Sequence, residues 1–382
     1  MTSVRTATRK NDWVNIIFFT VTTVAGVIGA PIYIYHYGIS APEIALFLFY
    51  FVATGLGITA GYHRLFAHAT FRANGLIRFL LLFFGAAAFE QSALRWSAQH
   101  RDHHRYVDTD RDPYSIRKGF FYAHMGWLMF WQLETNYSNV KRLQGDALVM
   151  HQHRYYVAWA TVAGIITPAL IGLLSGHLLG ALLISVGLRL TLVYHATFFI
   201  NSVCHTFGKA TYDVQASARD NWFIALLTFG EGYHNFHHRF AADYRNGVRW
   251  YHFDPSKWLI ATLEKLGLAW DLKRVSNFRI LAARLAGEKT RVTRWLDETT
   301  ADSPGLATAI QGQVRTQYEN LRKLLLDWEA AAQDHSQVLQ VQVSNYSDEL
   351  RRSARRRLAE ARARFKESRA VWNTLVQQCP AT

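Results

Sequence analysis

Apolar positions concentrate in blocks along this chain. Residues 13–35 are apolar and uncharged, and 43–61 repeat the pattern with only the first residue charged. A second pair follows at 155–175 and 178–200, broken late by Arg189. Runs of about 20 apolar residues match the hydrocarbon thickness of a bilayer, so four transmembrane helices are expected, in two hairpins joined by the loops at 36–42 and around Gly176. The runs recur, and no small-residue cleavage pattern ends the first, which argues against a secretory leader. The aromatic stretch 119–133 is too short to cross and is expected at the membrane interface. Beyond Pro304 the pattern changes again. Val314, Leu321, Leu325, Trp328, Leu339, Tyr346, Leu350, Leu358, Phe365 and Trp372 recur at helical spacing in a polar background. That predicts one long amphipathic helix or a helical hairpin with an irregular heptad, able to self-associate through 306–377.

The net charge of +14 refines this picture. Lys and Arg gather at both ends and after the polar clusters, which suits a cytoplasmic membrane face or an acidic protein partner. The run RRSARRR at 351–357 reads as a solvated basic face, and no nucleic-acid partner is expected. Two cysteines, Cys204 and Cys379, make neither a zinc motif nor a disulfide framework. Cys204 lies among apolar residues and reads as a buried small hydrophobe.

The candidate chemistry is in the histidines. Of 17 in the chain, eight fall in three clusters: His63 and His68 in HRLFAH, His100, His103 and His104 in HRDHH, and His234, His237 and His238 in HNFHH. Imidazole is the commonest transition-metal ligand, and eight exceed what one ion can use, so two adjacent ions are expected. In HxxHH, residues i, i+3 and i+4 share one helix face and can serve both ions. In HRLFAH, i and i+5 diverge by about 140° on an α-helix, so this segment is expected to leave span two and turn. Clusters that share a site must lie on one side of the membrane. The apolar run 75–94 separates two of them, so it cannot cross; it is expected to be re-entrant, buried or interfacial, interrupted near Glu90, Gln91 and Ser92. Arg5, Arg9, Lys10, Arg64 and Arg72 place the site and both termini in the cytoplasm, in the plasma (inner) membrane if the source is bacterial.

Catalytic zinc usually mixes in Cys, Asp or Glu. An all-imidazole cage with open positions suits iron, and neutral ligands favour oxidising states able to attack an unactivated C–H bond. Asp102, Asp108, Asp110, Asp112, Asp220 and Glu231 lie close enough in sequence to orient the rings, with no way to choose among them.

Over roughly 13–255 the chain resembles the membrane-bound fatty-acid desaturases, the acyl-CoA delta-9 (stearoyl-CoA) type in particular. The resemblance rests on HRLFAH, HRDHH followed by DTDRDPYSIRKGFFYAHMGW, NSVCH at 201–205, and GEGYHNFHH at 230–238. It implies an enzyme with two iron ions that uses O₂ and two electrons to insert a cis double bond into a saturated acyl chain. It also implies a ninth ligand, His205, and Asn201 reaching a metal through water; i and i+4 share a helix face. Trp96 and Thr197 stand where the family lines the bend of its acyl tunnel. The other eight histidines (36, 124, 151, 153, 177, 195, 252, 335) match no ligand position and read as structural or interfacial.

The chain also departs from the animal enzymes. Where those carry basic residues against CoA, Ala98, Trp131 and Gln132 stand here. Arg95, Lys141 and Arg142 are nearby cations; otherwise the carrier is a lipid or acyl-carrier protein. No haem-binding HPGG segment occurs, so the electron donor is expected to be a separate ferredoxin or b-type cytochrome with a NAD(P)H reductase. The rival readings are a hydroxylase on the same scaffold and a non-redox membrane zinc protein. The fold expected is an all-α integral membrane protein with a cytoplasmic helical cap. It divides into an N-terminal segment (1–12), a desaturase domain (13–255), a helical connector (256–303) and an amphipathic helical extension (304–382).

Overall fold

A computed structural model of the chain describes residues 8–132, 134–299, 304–340 and 346–377. Cys379 lies outside the described residues. The chain divides into two compact units, Met1–Ala210 with Gln215–Arg274, and Thr211–Val214 with Val275–Thr382.

The first unit is an all-α membrane assembly. Four helices are long and apolar enough to cross: span 1 (Trp13–Tyr37), span 2 (Ala41–Ala67), span 3 (Tyr156–Leu174) and span 4 (Leu178–His205). Their outer faces keep large apolar side chains uncovered, including Val21 (60% exposed) and Leu174 (87%), which fits a surface that lipid solvates. Span 2 starts with a capping box, in which the Ser40 hydroxyl and the Glu43 carboxylate satisfy each other's backbone N–H groups. Spans 1 and 4 touch backbone to backbone: a Cβ on Gly26 would lie 2.8 Å from the Gly187 carbonyl oxygen. Small residues allow such close packing between helices in lipid.

The run at 75–94 is not one span-length helix. Helix α1 (Gly75–Ala86) is capped by Asn74 and stops after three turns; helix α2 (Ala93–Tyr106) starts afresh at the Ser92 cap. Between them Phe89 and Gln91 take left-handed backbone angles (φ 58° and 74°), which reverse the chain. The result is a helical hairpin packed on spans 2 and 3. Its close approach to span 2 needs Gly57, where a Cβ would strike the backbone of Gly85.

The sequence reading of HRLFAH requires a correction. Span 2 does not turn away after His63. It continues as a π-helix from Gly57 to Ala67, and the His68 N–H donates to the His63 carbonyl at 3.0 Å. The wider turn puts i and i+5 on one face, so the two rings stand 4.8 Å apart. Arg64 is also not a headgroup-level charge; it is fully buried in this last turn (1% exposed).

The second unit contains three long helices: α4 (Asn277–Thr299), α5 (Pro304–Gln340) and α6 (Tyr346–Gln377). The hairpin alternative holds, since α5 and α6 are separate helices. Val314, Leu321, Leu325, Phe365 and Trp372 bury one another together with Leu285, Val292 and Leu296 of α4. Most of the tail's apolar stripe is therefore consumed inside the unit; Leu339 and Leu350 remain exposed. A buried Glu288 ties α4 to α6, accepting from both terminal nitrogens of Arg369 (2.6 and 2.8 Å) and from Trp372 Nε1 (2.9 Å).

Candidate metal centre

Four segments deliver histidines to one place: the π-helical end of span 2, helix α2, the end of span 4, and helix α3 (His234–Arg239). The nine rings sort into two groups, His63, His68, His100, His104 and His237 in one, and His103, His205, His234 and His238 in the other. Each HxxHH helix serves both. His100 and His104 of α2 face the first group and His103 the second; His237 of α3 faces the first, His234 and His238 the second. The groups abut where the His104 and His238 rings stack at 4.3 Å.

Within each group the Nε2 atoms converge. In the first, His63–His237 is 3.0 Å, His68–His100 2.8 Å and His104–His237 2.8 Å. In the second, His103–His238 is 3.3 Å, while His205–His234 and His234–His238 are 3.0 Å. Imidazole nitrogens about 2.1 Å from an ion stand about 3.0 Å apart at right angles and about 3.4 Å apart at the tetrahedral angle. The observed spacings are short enough for the ring nitrogens of each group to converge on one ion. Six of the rings are also held toward the neutral form that a metal needs. Burial, reinforced by the neighbouring histidines, holds His68, His100, His104, His234, His237 and His238 well below the ordinary histidine value, so they present lone pairs.

The far nitrogens of four rings are held by specific partners. His63 Nδ1 lies 2.8 Å from Glu231 Oε2 and His103 Nδ1 lies 2.8 Å from Asp112 Oδ1. His100 Nδ1 faces Tyr114 OH at 3.3 Å. His205 Nδ1 faces Ser217 Oγ at 2.6 Å, and Asp108 Oδ2 accepts the Ser217 N–H at 2.7 Å. Glu231 is locked in turn: Arg64 donates to its Oε1 through Nε and Nη2 (3.2 and 2.9 Å), and Asn246 donates to its Oε2. Burial alone would raise the Glu231 carboxyl, but His63 and Arg64 hold it below its ordinary value, charged. Of the other carboxylates considered, Asp220 accepts the Phe236 N–H and so seats α3 (3.0 Å), Asp102 accepts from Asn139 (2.8 Å), and Asp110 is exposed.

An apolar cavity reaches this cluster. His63, His100, His103 and His234 form part of its wall, and so does Asn201. Its lining also includes Asn15, Gln99, Trp127 and Leu128; farther along span 2 it is lined by Phe51 and Gly55, with Phe229 beside them. Trp96 and Thr197 both line it and meet at one carboxylate: Trp96 Nε1 donates to Glu90 Oε2 (3.2 Å) and the Thr197 hydroxyl to Glu90 Oε1 (2.8 Å). The Trp96 ring stacks on His100 at 4.7 Å. Sequence reasoning used Glu90 only as a break in an apolar run. Its signal was the cost of a lone carboxylate there, which demands partners. Tyr114, Ser217 and Arg64 were missed as ring supports and left no comparable signal.

Several of the remaining histidines find other partners. His252 stacks on Tyr233 (4.3 Å), His124 Nε2 faces His195 Nδ1 (3.0 Å), and His153 Nδ1 faces Ser92 Oγ (2.7 Å). Ala98 is fully buried, and the backbone at Trp131–Gln132 pairs with Thr8–Arg9.

The chain is similar to known proteins over much of its length. Residues 40–273 match the family model described as fatty acid desaturase. A probable acyl-CoA desaturase of Schizosaccharomyces pombe is 43% identical over 251 residues, covering 65% of this chain and 52% of that protein. Acyl-CoA desaturase 1 of Saccharomyces cerevisiae is 36% identical over 293 residues, covering 74% and 56%. Stearoyl-CoA desaturase 4 of Mus musculus is 34% identical over 285 residues, covering 71% and 78%. The chain thus spans little more than half the length of the two yeast relatives. With most of its membrane unit matched by the family model and two thirds or more of an animal relative covered, the chain belongs to the fatty acid desaturase family.

Proposed function

We propose that the chain desaturates a fatty acyl chain, inserting a cis double bond at the delta-9 position, with acyl-CoA the favoured substrate. The observation that carries this reading is one apolar cavity with imidazoles of both histidine groups in its wall. An alkyl chain has no polar handle, so only a dry slot of fixed shape can hold one methylene pair against the reacting centre. The all-imidazole donor set in two groups supports two iron ions, which the nine histidines would hold, with Asn201 assigned to reach one through water. When bound, that iron pair supplies the oxidising power, drawn from O₂ and two electrons, that removes hydrogen from an unactivated C–H bond.

The remaining work falls to the protein. Glu231, Asp112, Tyr114 and Ser217 fix ring orientation. Trp96 and Thr197, joined through Glu90, form the bend at which the acyl chain turns. Phe51, Gly55 and Phe229 close the apolar end, because a Cβ on Gly55 would run into the Phe229 ring. Ala98, Trp131 and Gln132 supply no cation for CoA, so the carrier's phosphates are assigned to the exposed Arg95, Lys141 and Arg142. A separate acidic donor, a ferredoxin or b-type cytochrome with its reductase, suits the net positive charge. Both termini are assigned to the cytoplasm. Self-association through the tail has little support left, since its apolar stripe is mostly internal.

The test is to express the chain in cells fed saturated fatty acids and to analyse their lipids by mass spectrometry. New cis alkenes are expected, lost in His104→Ala and His237→Ala with membrane insertion intact. Hydroxy acids without alkenes would replace this reading with a hydroxylase, and a carrier-bound substrate other than acyl-CoA would show as the alkene's appearance in lipid or acyl-carrier pools first.

A further inference from the structure

Arg189 is fully buried in the middle third of span 4. Its four hydrogen bonds all end on neutral oxygens. Nε donates to the Ser185 carbonyl (2.7 Å), Nη1 to the Thr54 hydroxyl (3.1 Å) and the Ala87 carbonyl (2.8 Å), and Nη2 to the Gly164 carbonyl (2.9 Å). A guanidinium among transmembrane helices with no carboxylate partner is costly, and such residues are functional candidates for that reason. One of its acceptors, the Ala87 carbonyl, sits directly after α1. A helix that stops inside the protein leaves its last carbonyls without partners, and they carry the negative end of the helix dipole. Arg189 answers both needs, and it also links spans 2, 3 and 4 to the tip of the helical hairpin.

We propose that Arg189 is a positioning residue that fixes this tip, and with it the bend of the acyl cavity beside the metal groups. The connection is short. Two residues beyond Ala87, Phe89 holds its left-handed backbone and lines the cavity. Glu90 follows and ties Trp96 to Thr197, and Trp96 lies on His100. Irregular backbone at membrane depth persists only where the protein satisfies it, and left-handed non-glycine residues persist only where their surroundings over-determine them. Arg189 provides the fixed point on which this turn rests. A tip that drifts by an ångström moves Glu90, Trp96 and the reacting carbons together, and misplacement on that scale costs about 100-fold in rate. The inference rests on the desaturase reading for its consequence, though not for its geometry.

The test compares full-length, iron-loaded wild type with Arg189→Lys and Arg189→Met in bilayers. Four quantities are read: iron per chain, double-bond position, electrons consumed per double bond, and hydrogen exchange at 86–92. Near-normal iron is expected, with faster exchange confined to the tip, alkenes at more than one position and more electrons spent per alkene. Turnover is expected to fall about 10- to 100-fold, with Lys retaining more than Met. The proposal is overturned if tip exchange is unchanged, or if activity falls only in proportion to folded, iron-loaded protein while position and coupling stay those of wild type. A wild type that makes no alkene would instead sink the desaturase reading, and tip exchange would still decide the role of Arg189.

Discussion

At the scale of single residues, the centre depends on atoms that never face a metal. Glu231 is the clearest case, because one carboxylate oxygen lies 2.8 Å from His63 Nδ1 and the other accepts from Arg64 while fully enclosed. Changing it to Gln keeps the shape but removes the negative charge that faces His63 Nδ1. Metal affinity is expected to fall about 10- to 100-fold, measured as iron retained against a chelator, with less change when Asp102 is altered. Acid is expected to act at the same scale. The buried rings are held below their ordinary value near 6.5, so the unfolded chain binds more protons than the folded one once the pH drops beneath that value. The stability they contribute is therefore complete above about pH 6.5 and lost as the pH falls below it. Thermal midpoints and iron content measured from pH 7.5 to 5 are expected to decline together. A flat profile would show that the rings are not the groups that titrate on unfolding.

Among elements, the parts legible in the sequence were those with local signatures. The spans announce themselves by length, and HxxHH divides its rings between two groups for the helical reason evident from the spacing. The break at 87–92 was foreseeable because Glu90, Gln91 and Ser92 interrupt an apolar run. The π-helix was not foreseeable: i and i+5 histidines seem to diverge only if the turn is assumed to be α. Nor were the ring partners, because Asp112 and Glu231 differ from Asp102 and Asp110 only by three-dimensional neighbours. Arg189 was visible merely as a blemish in span 4. The hairpin adds a test of its own. Gly57 meets the backbone of Gly85, which cannot move aside as a side chain could. Gly57→Val is expected to push α1 off span 2 at a cost of about 1–3 kcal/mol, seen as a lower thermal midpoint, whereas the same change at Gly75, which faces open space, is expected to be mild.

For the whole molecule, the division into two compact units makes a separable prediction. The second unit is held by a core of Leu285, Val292, Leu321, Phe365 and Trp372 and by the Glu288 node. Burial would raise the Glu288 carboxyl, but Arg369, Trp372 and Arg284 hold it below its ordinary value and charged. Glu288→Ala removes every acceptor at that node and strands Arg369, which is itself mostly enclosed (15% exposed). Breaking a buried pair from one side costs about 3 kcal/mol or more, a large share of what a three-helix unit of this size can supply. None of the nine histidines or their partners lies in this unit. The expected result is therefore asymmetric. Limited proteolysis and hydrogen exchange are expected to open 275–377 first, while iron per chain and the double-bond position of the product stay unchanged. Iron lost in step with the opening of α4–α6 would mean that the two units fold as one, and that the helical extension is part of what holds the centre together.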